Sequence, residues 1–155
     1  MNAKEAIPFL DLVTPHVELE QELSEVFNRA LRTASFIGGP LVEQFERGFA
    51  HFCGVKYCVG ASNGTDALRF ALTAAGVKAG DVAITVANTF IATVEAIVQT
   101  GARPAFVDVD PITGNMSVPA LKRYLVSGDF ASAYGPRVIL PVHLYGLPAP
   151  ITESC

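Results

Sequence analysis

A continuous run of apolar and β-branched residues at 82–86 constrains the fold of this chain more than any other segment. Such a run is typical of a strand that is buried on both faces, because helices cover both sides of a parallel sheet. Further strands are predicted at 57–61, 104–109 and 137–142. Since segments with a helical spacing of apolar residues separate these runs, the pattern predicts an α/β fold with a parallel sheet and right-handed crossovers.

The segments outside the strands have the apolar spacing and the end signals of helices. Thr14 and Pro15 have the pattern of an N-cap and a first-turn proline, and Gly54 is the expected stop of a second helix. An extended lead-in is predicted at 1–13 and a loop at 128–136. The predicted helices run from Thr14 to about Thr33, from about Leu41 to Gly54, from the turn at 62–65 through Ala75, from Asn88 or Thr89 to Gly101, and onward from Ser117.

Composition and charge exclude several classes of protein. The 155 residues suit a single domain, and with 50% hydrophobic and 17% charged residues the chain is globular. The net charge of −4, without a basic stripe, argues against a nucleic-acid partner. No stretch reaches the ~18 apolar residues that span a membrane. Because the first residues also lack the pattern of a signal peptide, a cytoplasmic protein with no membrane partner is expected.

The three cysteines, Cys53, Cys58 and Cys155, are odd in number and lack a CxxC pair. This usage fits reduced thiols in a cytosol. A metal site formed by His51, Cys53 and Cys58 is conceivable, but buried small side chains are the preferred interpretation. The sequence therefore predicts no metal.

The turn Ser62-Asn63-Gly64-Thr65 joins the predicted strand at 57–61 to the helix that follows. A strand, a glycine-containing turn and a helix start present free backbone N–H groups to an anion, and the helix dipole adds roughly half a positive charge there. One interpretation is therefore a phosphate-binding turn. The other is a capped helix, in which Asn63 or Thr65 is the N-cap and Gly64 only turns the chain. The residues alone leave both open.

Residues that follow the other strands form a second group of candidates, because ligands of parallel sheets bind beyond the carboxyl ends of the strands. One pocket at this edge could hold them together with the turn at 62–65. Each also has a structural interpretation. Phe90 could pack in the core, and His143 could be a hydrogen-bonded structural residue instead of a base. Asp108 and Asp110 could cap the turn before Pro111 instead of binding a metal or acting as an acid and a base. The candidates are the segment 87–90, Asp108, Asp110 and the segment 143–145.

Three segments, taken in order, resemble the DegT/DnrJ/StrS family of sugar aminotransferases. They are FIGGPLVEQFERGFAHFCGVKYCVGASNGTDALRFAL at 36–72, GDVAITVANTFIATVEAIVQTGARPAFVDVDPITGNMS at 80–117 and RVILPVHLYGLPA at 137–149. The resemblance implies the N-terminal part of the large domain of the PLP-dependent transferase fold (aspartate aminotransferase, fold type I), with a mostly parallel, incomplete sheet and flanking helices. It also implies pyridoxal 5'-phosphate (PLP) as cofactor, glutamate as amino donor, a nucleotide-linked keto-sugar as acceptor and a homodimer with active sites at the interface.

The resemblance also implies roles for individual residues. Gly64 and Thr65 would contact the cofactor phosphate through backbone N–H and hydroxyl, and Ser62 and Asn63 would shape the turn. Phe90 would stack on the pyridine ring. As weaker assignments, the loop Gly38-Gly39-Pro40 and the segment His143-Leu144-Tyr145-Gly146 would border the nucleotide-sugar or the dimer side of the pocket.

The family's reaction also needs a lysine that forms the Schiff base and a carboxylate beside the pyridinium nitrogen. By resemblance these lie in later S-x-x-K-like and D-x-A-Q-like segments, and none of Lys4, Lys56, Lys78 and Lys122 lies in such a segment. We therefore expect 1–155 to be a truncated N-terminal portion of the major domain, inactive by itself, with a family match to about residue 149 and an atypical tail at 150–155. The strand at 57–61 would then lack its neighbour in the sheet.

Other interpretations of the chain stay open. It could be a non-catalytic module that binds phosphate, PLP or a nucleotide-sugar, a dimerisation fragment, a relative that performs dehydration, or a misfolded fragment without function.

Overall fold

The computed structural model describes residues 9–128, 130 and 135–151, and the chain divides after Gly60 into two compact units. Unit 1 ends at Gly60 and unit 2 begins at Ala61. Parts of the predicted lead-in, loop and tail lie outside the described residues. These parts are 1–8, 129, 131–134 and 152–155, the last of which includes Cys155. In the described ranges, none of the helices has both the length and the hydropathy required to cross a membrane.

In its described residues, unit 1 contains three helices, α1 at Thr14–Glu18, α2 at Glu20–Thr33 and α3 at Pro40–Phe52. The predicted end near Thr33 is confirmed, but the single helix predicted from Thr14 is divided at Leu19, which has non-helical backbone angles. The N-cap prediction for Thr14 is wrong, because the carboxylate of Asp11 accepts hydrogen bonds from the backbone N–H groups of Val13 and Thr14. That interaction places Thr14 inside the first turn.

The strand predicted at 57–61 is not formed. The described residues include no strand that pairs with this segment. A strand forms only where a neighbouring strand pairs with its backbone N–H and C=O groups. Within unit 1, the backbone N–H of Gly60 instead donates to the Glu46 carboxylate over 2.7 Å.

Unit 2 is built on a three-stranded parallel sheet, with β1 at Val82–Val86, β2 at Arg103–Val107 and β3 at Val138–Ile139. The strand order is β2-β1-β3, and β1 pairs with both neighbours. All five residues of β1 are buried, as the continuous apolar run predicts. The other elements are α4 at Gly64–Ala74, α5 at Ala92–Gln99, α6 at Val118–Ser127 and a 3₁₀ turn at Leu144–Gly146.

The core of unit 2 consists of two apolar clusters that contain alternate residues of β1. Ala83 belongs to one cluster and Ile84 and Val86 to the other, because successive side chains of a strand point to opposite faces. The first cluster joins β1 to α4 and α5 through Leu72, Ala96 and Ile97. The second joins it to β2 and α6 through Val107, Met116 and Leu121.

The strands at the two edges differ in length from their predictions. β3 is two residues long instead of the six predicted at 137–142, and the residues next to it each donate one backbone hydrogen bond to β1, from Arg137 to Val82 and from Leu140 to Ile84. β2 begins at Arg103 and ends at Val107, two residues before the predicted end. Val109 lies outside the parallel ladder and forms an antiparallel bridge with Met116.

The start of α5 was predicted at Asn88 or Thr89, and this is wrong. The helix begins at Ala92 without a side-chain cap. Both candidate caps have other partners, since the Asn88 amide donates to the Gly114 carbonyl and the Thr89 hydroxyl bonds the Thr93 hydroxyl. The predicted cap Ser117 is confirmed, because its hydroxyl accepts from the Ala120 N–H at the start of α6.

The buried strand β1 allows a direct test of this core. Ile84 is fully buried, whereas Ile112 is 92% exposed in a turn of the same unit. We expect Ile84→Ala to lower the free energy of unfolding by about 2–5 kcal/mol, because it removes three carbon atoms from a packed interior. Ile112→Ala should change it by less than about 0.5 kcal/mol. Urea unfolding of both variants measures the difference, and equal losses would contradict the assignment of β1 to the core.

Candidate functional site

The first turn of α4 lies at the edge of the sheet that contains the carboxyl ends of the strands. The loop after α4 leads to the amino end of β1, where the Lys78 N–H donates to the Asp81 carboxylate. The 11 residues of α4 and the 5 residues of β1 both correspond to a length of about 16 Å. Because α4 also packs on α5, which starts at the carboxyl end of β1, the turn at 62–65 and the segment 87–90 lie at the same edge.

Asn63 is the N-cap of α4. Its backbone is extended, and its side-chain oxygen accepts from the Asp66 N–H over 2.9 Å. Its carbonyl accepts from the Ala67 N–H over 3.0 Å. Within the described part of the chain, the backbone N–H groups of Gly64 and Thr65 have no hydrogen-bond partner. The turn is therefore a capped helix start that still presents two free donors, so the two sequence interpretations are compatible.

Asp66 links the turn to the body of α4. Its carboxylate accepts hydrogen bonds from the Ser62 hydroxyl, from the Asn63 side-chain amide and, over 3.0 Å, from the Arg69 guanidinium. The Ser62 hydrogen bond, followed by that from Arg69, lowers the pKa of Asp66 below its ordinary value. The carboxylate is therefore ionised at neutral pH.

Asp66 is not among the residues predicted from the sequence. A signal was present, because an acidic residue three positions after an N-cap is the pattern of a capping box.

Two aromatic candidates lie on exposed segments of unit 2. Phe90 lies between β1 and α5 and is 74% exposed, so the core packing considered for it is not observed. Tyr145 is 88% exposed and has a φ of +56°, a left-handed conformation that is unusual for a residue with a side chain. Both rings are available to a ligand or to another chain.

His143 has a structural contact. Its Nδ1 atom accepts from the Ala149 N–H over 2.8 Å, which corresponds to the structural interpretation of this histidine. The segment is also held by the buried Asn115, whose side-chain amide donates to the carbonyls of Leu147 and Pro148. Asn115 could not be predicted from a local pattern, because its partners lie 32 and 33 residues along the chain.

Asp108 and Asp110 contact nearby backbone groups. Asp110 accepts from the N–H groups of Ile112 and Thr113, which is the turn capping preferred for it, and these bonds lower its pKa. The Asp108 carboxylate accepts from the Val109 N–H. Among described residues, no three His, Cys, Asp or Glu side chains are grouped to hold a metal. Absence of a metal stays a prediction.

Hydrogen bonds do not join the other candidates to the turn in the described part of unit 2. In the described ranges of unit 2, no hydrogen bond links the turn at 62–65 to Phe90, His143 or Tyr145. A cavity of about 360 Å³ in unit 2 is lined by Asp110, Ser117 and Pro150 instead. Gly38 and Gly39 belong to unit 1, where φ angles of +63° and +78° lead into Pro40 at the start of α3. The single pocket therefore stays a prediction.

Comparison with known proteins identifies the family. Residues 17–154 match the model of the DegT/DnrJ/EryC1/StrS aminotransferase family. The chain belongs to this family.

Relatives of this family member include a pleiotropic regulatory protein from Geobacillus stearothermophilus, 40% identical over 90% of the chain and 36% of the relative. A dTDP-3-amino-3,6-dideoxy-alpha-D-galactopyranose transaminase from Aneurinibacillus thermoaerophilus is 38% identical over 90% of the chain and 37% of the relative. The chain thus spans little more than a third of the length of the relatives it matches.

Solved structures confirm the predicted fold class. NtdA from Bacillus subtilis with the bound cofactor PMP superposes with a TM-score of 0.79 at 32% identity, over 99% of this chain and 34% of that one. The chain therefore has the fold of the PLP-dependent aminotransferases, and its three parallel strands with their helices form part of that fold.

The residues at the start of α4 in this chain are suited to bind the phosphate group of a cofactor such as PMP. Two free N–H donors lie at the positive end of a helix, the arrangement that binds phosphate. A Cβ atom added to Gly64 would meet nothing within 4 Å, so space is open beside the first donor.

Proposed function

We propose that this chain contributes the cofactor-phosphate site of a PLP-dependent enzyme that transfers an amino group from glutamate to a keto group of a nucleotide-linked sugar. The observation that carries the proposal is the 38% identity, over 90% of the chain, to a relative named as a transaminase of a dTDP-linked amino sugar. The free donors at the start of α4 support it independently of that name.

Each residue of the site has a proposed task. The N–H groups of Gly64 and Thr65 bind the phosphate, and the Thr65 hydroxyl adds a third donor. Asn63 and Ser62 keep these donors oriented by capping α4 and by bonding Asp66. The exposed ring of Phe90 restrains the flat cofactor ring by stacking. When bound, the cofactor supplies the electron sink for the transfer.

Two further segments are proposed to border the substrate side. Gly38 and Gly39 would allow close approach of their backbone to a nucleotide-sugar or to a second copy of the chain, because neither has neighbouring atoms at its Cβ position. In unit 2, His143 and Tyr145 would border a nucleotide-sugar or the partner of a homodimer.

We propose that these 155 residues do not complete the reaction by themselves. The lysines of the sequence are Lys4, Lys56, Lys78 and Lys122, and none follows a serine in an S-x-x-K segment. The second candidate function is therefore a module that binds PLP, phosphate or a nucleotide-sugar, or that dimerises, without catalysis. The combination of a phosphate-binding turn with no lysine in the family's segment favours this candidate for the isolated chain.

The first prediction concerns the backbone donor of Gly64. Gly64→Pro removes this N–H at the first helical position, which accepts proline, and Asn63 already has the extended backbone that precedes a proline. We expect affinity for PLP to fall by about tenfold or more, since a hydrogen bond to a charged group contributes about 1.5–3 kcal/mol.

Gly64→Ala is the matched control, because it keeps the N–H and its Cβ atom meets no neighbour. It should bind PLP within about twofold of the unmodified chain. Absorbance titration with PLP measures both variants. If Gly64→Pro and Gly64→Ala bind equally well, the N–H of Gly64 does not hold the phosphate.

The second prediction concerns the lysines. Incubation of the chain with PLP, reduction with borohydride and peptide mapping should yield no stoichiometrically labelled lysine, because none lies in an S-x-x-K segment. A full-length member of the family, treated in parallel, is the positive control. Labelling of Lys56, Lys78 or Lys122 at one cofactor per chain would show that the chain supplies its own reactive amine.

A further inference from the structure

We propose that Asp66 is a positioning residue for the cofactor phosphate, and that it acts by holding Ser62 and Asn63 so that only the Gly64 and Thr65 N–H groups face the ligand. The inference rests on the proposed function, because it assigns a role relative to the phosphate that the turn would bind. Asp66 itself makes no contact with the ligand in this account.

The proposal is based on hydrogen bonds that run in both directions between Asn63 and Asp66. Asn63 accepts from the Asp66 N–H over 2.9 Å, and the Asp66 carboxylate accepts from the Asn63 amide over 3.3 Å and from the Ser62 hydroxyl. The third N–H of α4 is therefore occupied, while those of Gly64 and Thr65 are free. The Ser62 hydroxyl is also occupied, because it donates to the Asp66 carboxylate. The carboxylate thus holds the two side chains, Ser62 and Asn63, that lie next to the free donors.

The charge of Asp66 opposes a neighbouring phosphate, and Arg69 offsets it. The Arg69 guanidinium bonds the second carboxylate oxygen over 3.0 Å and lies over the Phe70 ring, 4.6 Å from its centre. Both charged groups are partly buried, which weakens their screening by water. The net charge of the pair is therefore close to zero, which reduces the repulsion between the Asp66 carboxylate and an anion at the turn.

The ionisation of Asp66 agrees with this arrangement. The Ser62 hydroxyl, and then Arg69, lower the pKa of this carboxyl below its ordinary value. A lowered pKa in the folded state means that the hydrogen bonds stabilise the turn at neutral pH and are lost as the pH falls below about 4. The turn therefore keeps its geometry near pH 7, where the phosphate of PLP carries a charge of about −1.5 to −2.

The test compares Asp66→Asn with Asp110→Asn in the complete chain. Both carboxylates accept turn hydrogen bonds in unit 2, and both have a lowered pKa, so the two changes are matched in chemistry. We expect Asp66→Asn to weaken PLP binding by about tenfold, and Asp110→Asn to leave it within about twofold, in absorbance titrations at pH 7.5. Thermal unfolding of each variant reports the purely structural cost.

A second readout separates positioning from general stability. In two-dimensional amide NMR spectra, addition of PLP should shift the Gly64 and Thr65 signals of the unmodified chain and of Asp110→Asn. In Asp66→Asn these shifts should be smaller at equal saturation. Ser62→Ala removes one hydrogen bond of the carboxylate and should weaken binding less than Asp66→Asn does.

The outcomes distinguish this inference from the proposed function. If the unmodified chain binds PLP with shifts at Gly64 and Thr65, but Asp66→Asn binds equally or more tightly, Asp66 only repels the phosphate and the inference is wrong while the site stands. Equal weakening by Asp66→Asn and Asp110→Asn would also overturn it. If the unmodified chain shows no shift at Gly64 and Thr65, the proposed phosphate site fails and the role of Asp66 fails with it.

Discussion

Hydrogen bonding on both sides of β1 is the constraint on which the rest of unit 2 depends. β2 and β3 pair with this strand in parallel, so the segments that follow the three strands come to one edge of the sheet. All five residues of β1 are buried, and the two apolar clusters on its faces hold α4, α5 and α6 in place. The start of α4 reaches the same edge because the helix and the strand are about equally long.

At that edge the candidate site depends on unpaired backbone donors. Every helix start leaves several N–H groups without internal partners, and the side chain of Asn63 satisfies one of them. The donors of Gly64 and Thr65 remain, at the end of the helix that favours negative charge. Under the proposed function, these two donors would bind the phosphate of the cofactor. The proposed role of Asp66 adds a reason why these two donors, and not their neighbours, are free.

Residue patterns within a short segment were sufficient to predict the elements that such a segment forms by itself. The apolar run at 82–86 predicts a buried strand, and Ser117 caps the helix that follows it in the chain. Prediction was wrong where the hydrogen-bond partner of a residue lies far along the chain. Asn88 was predicted to start α5, but its amide donates to a carbonyl 26 residues away. It was also wrong at 57–61, where residues suited to a strand have no partner strand in the described part of the chain. In the candidate site, the residue types at 62–65 predicted the turn, but they did not predict the hydrogen bonds of Asp66.

The central claim is that the Gly64 and Thr65 N–H groups hold the phosphate of the cofactor. A crystal structure of the chain soaked with PLP tests it most directly. We expect phosphate density within about 3 Å of both nitrogen atoms, with the Asp66 carboxylate still bonded to Ser62. Ordered cofactor elsewhere on the chain, with side chains filling the space in front of Gly64, would contradict it.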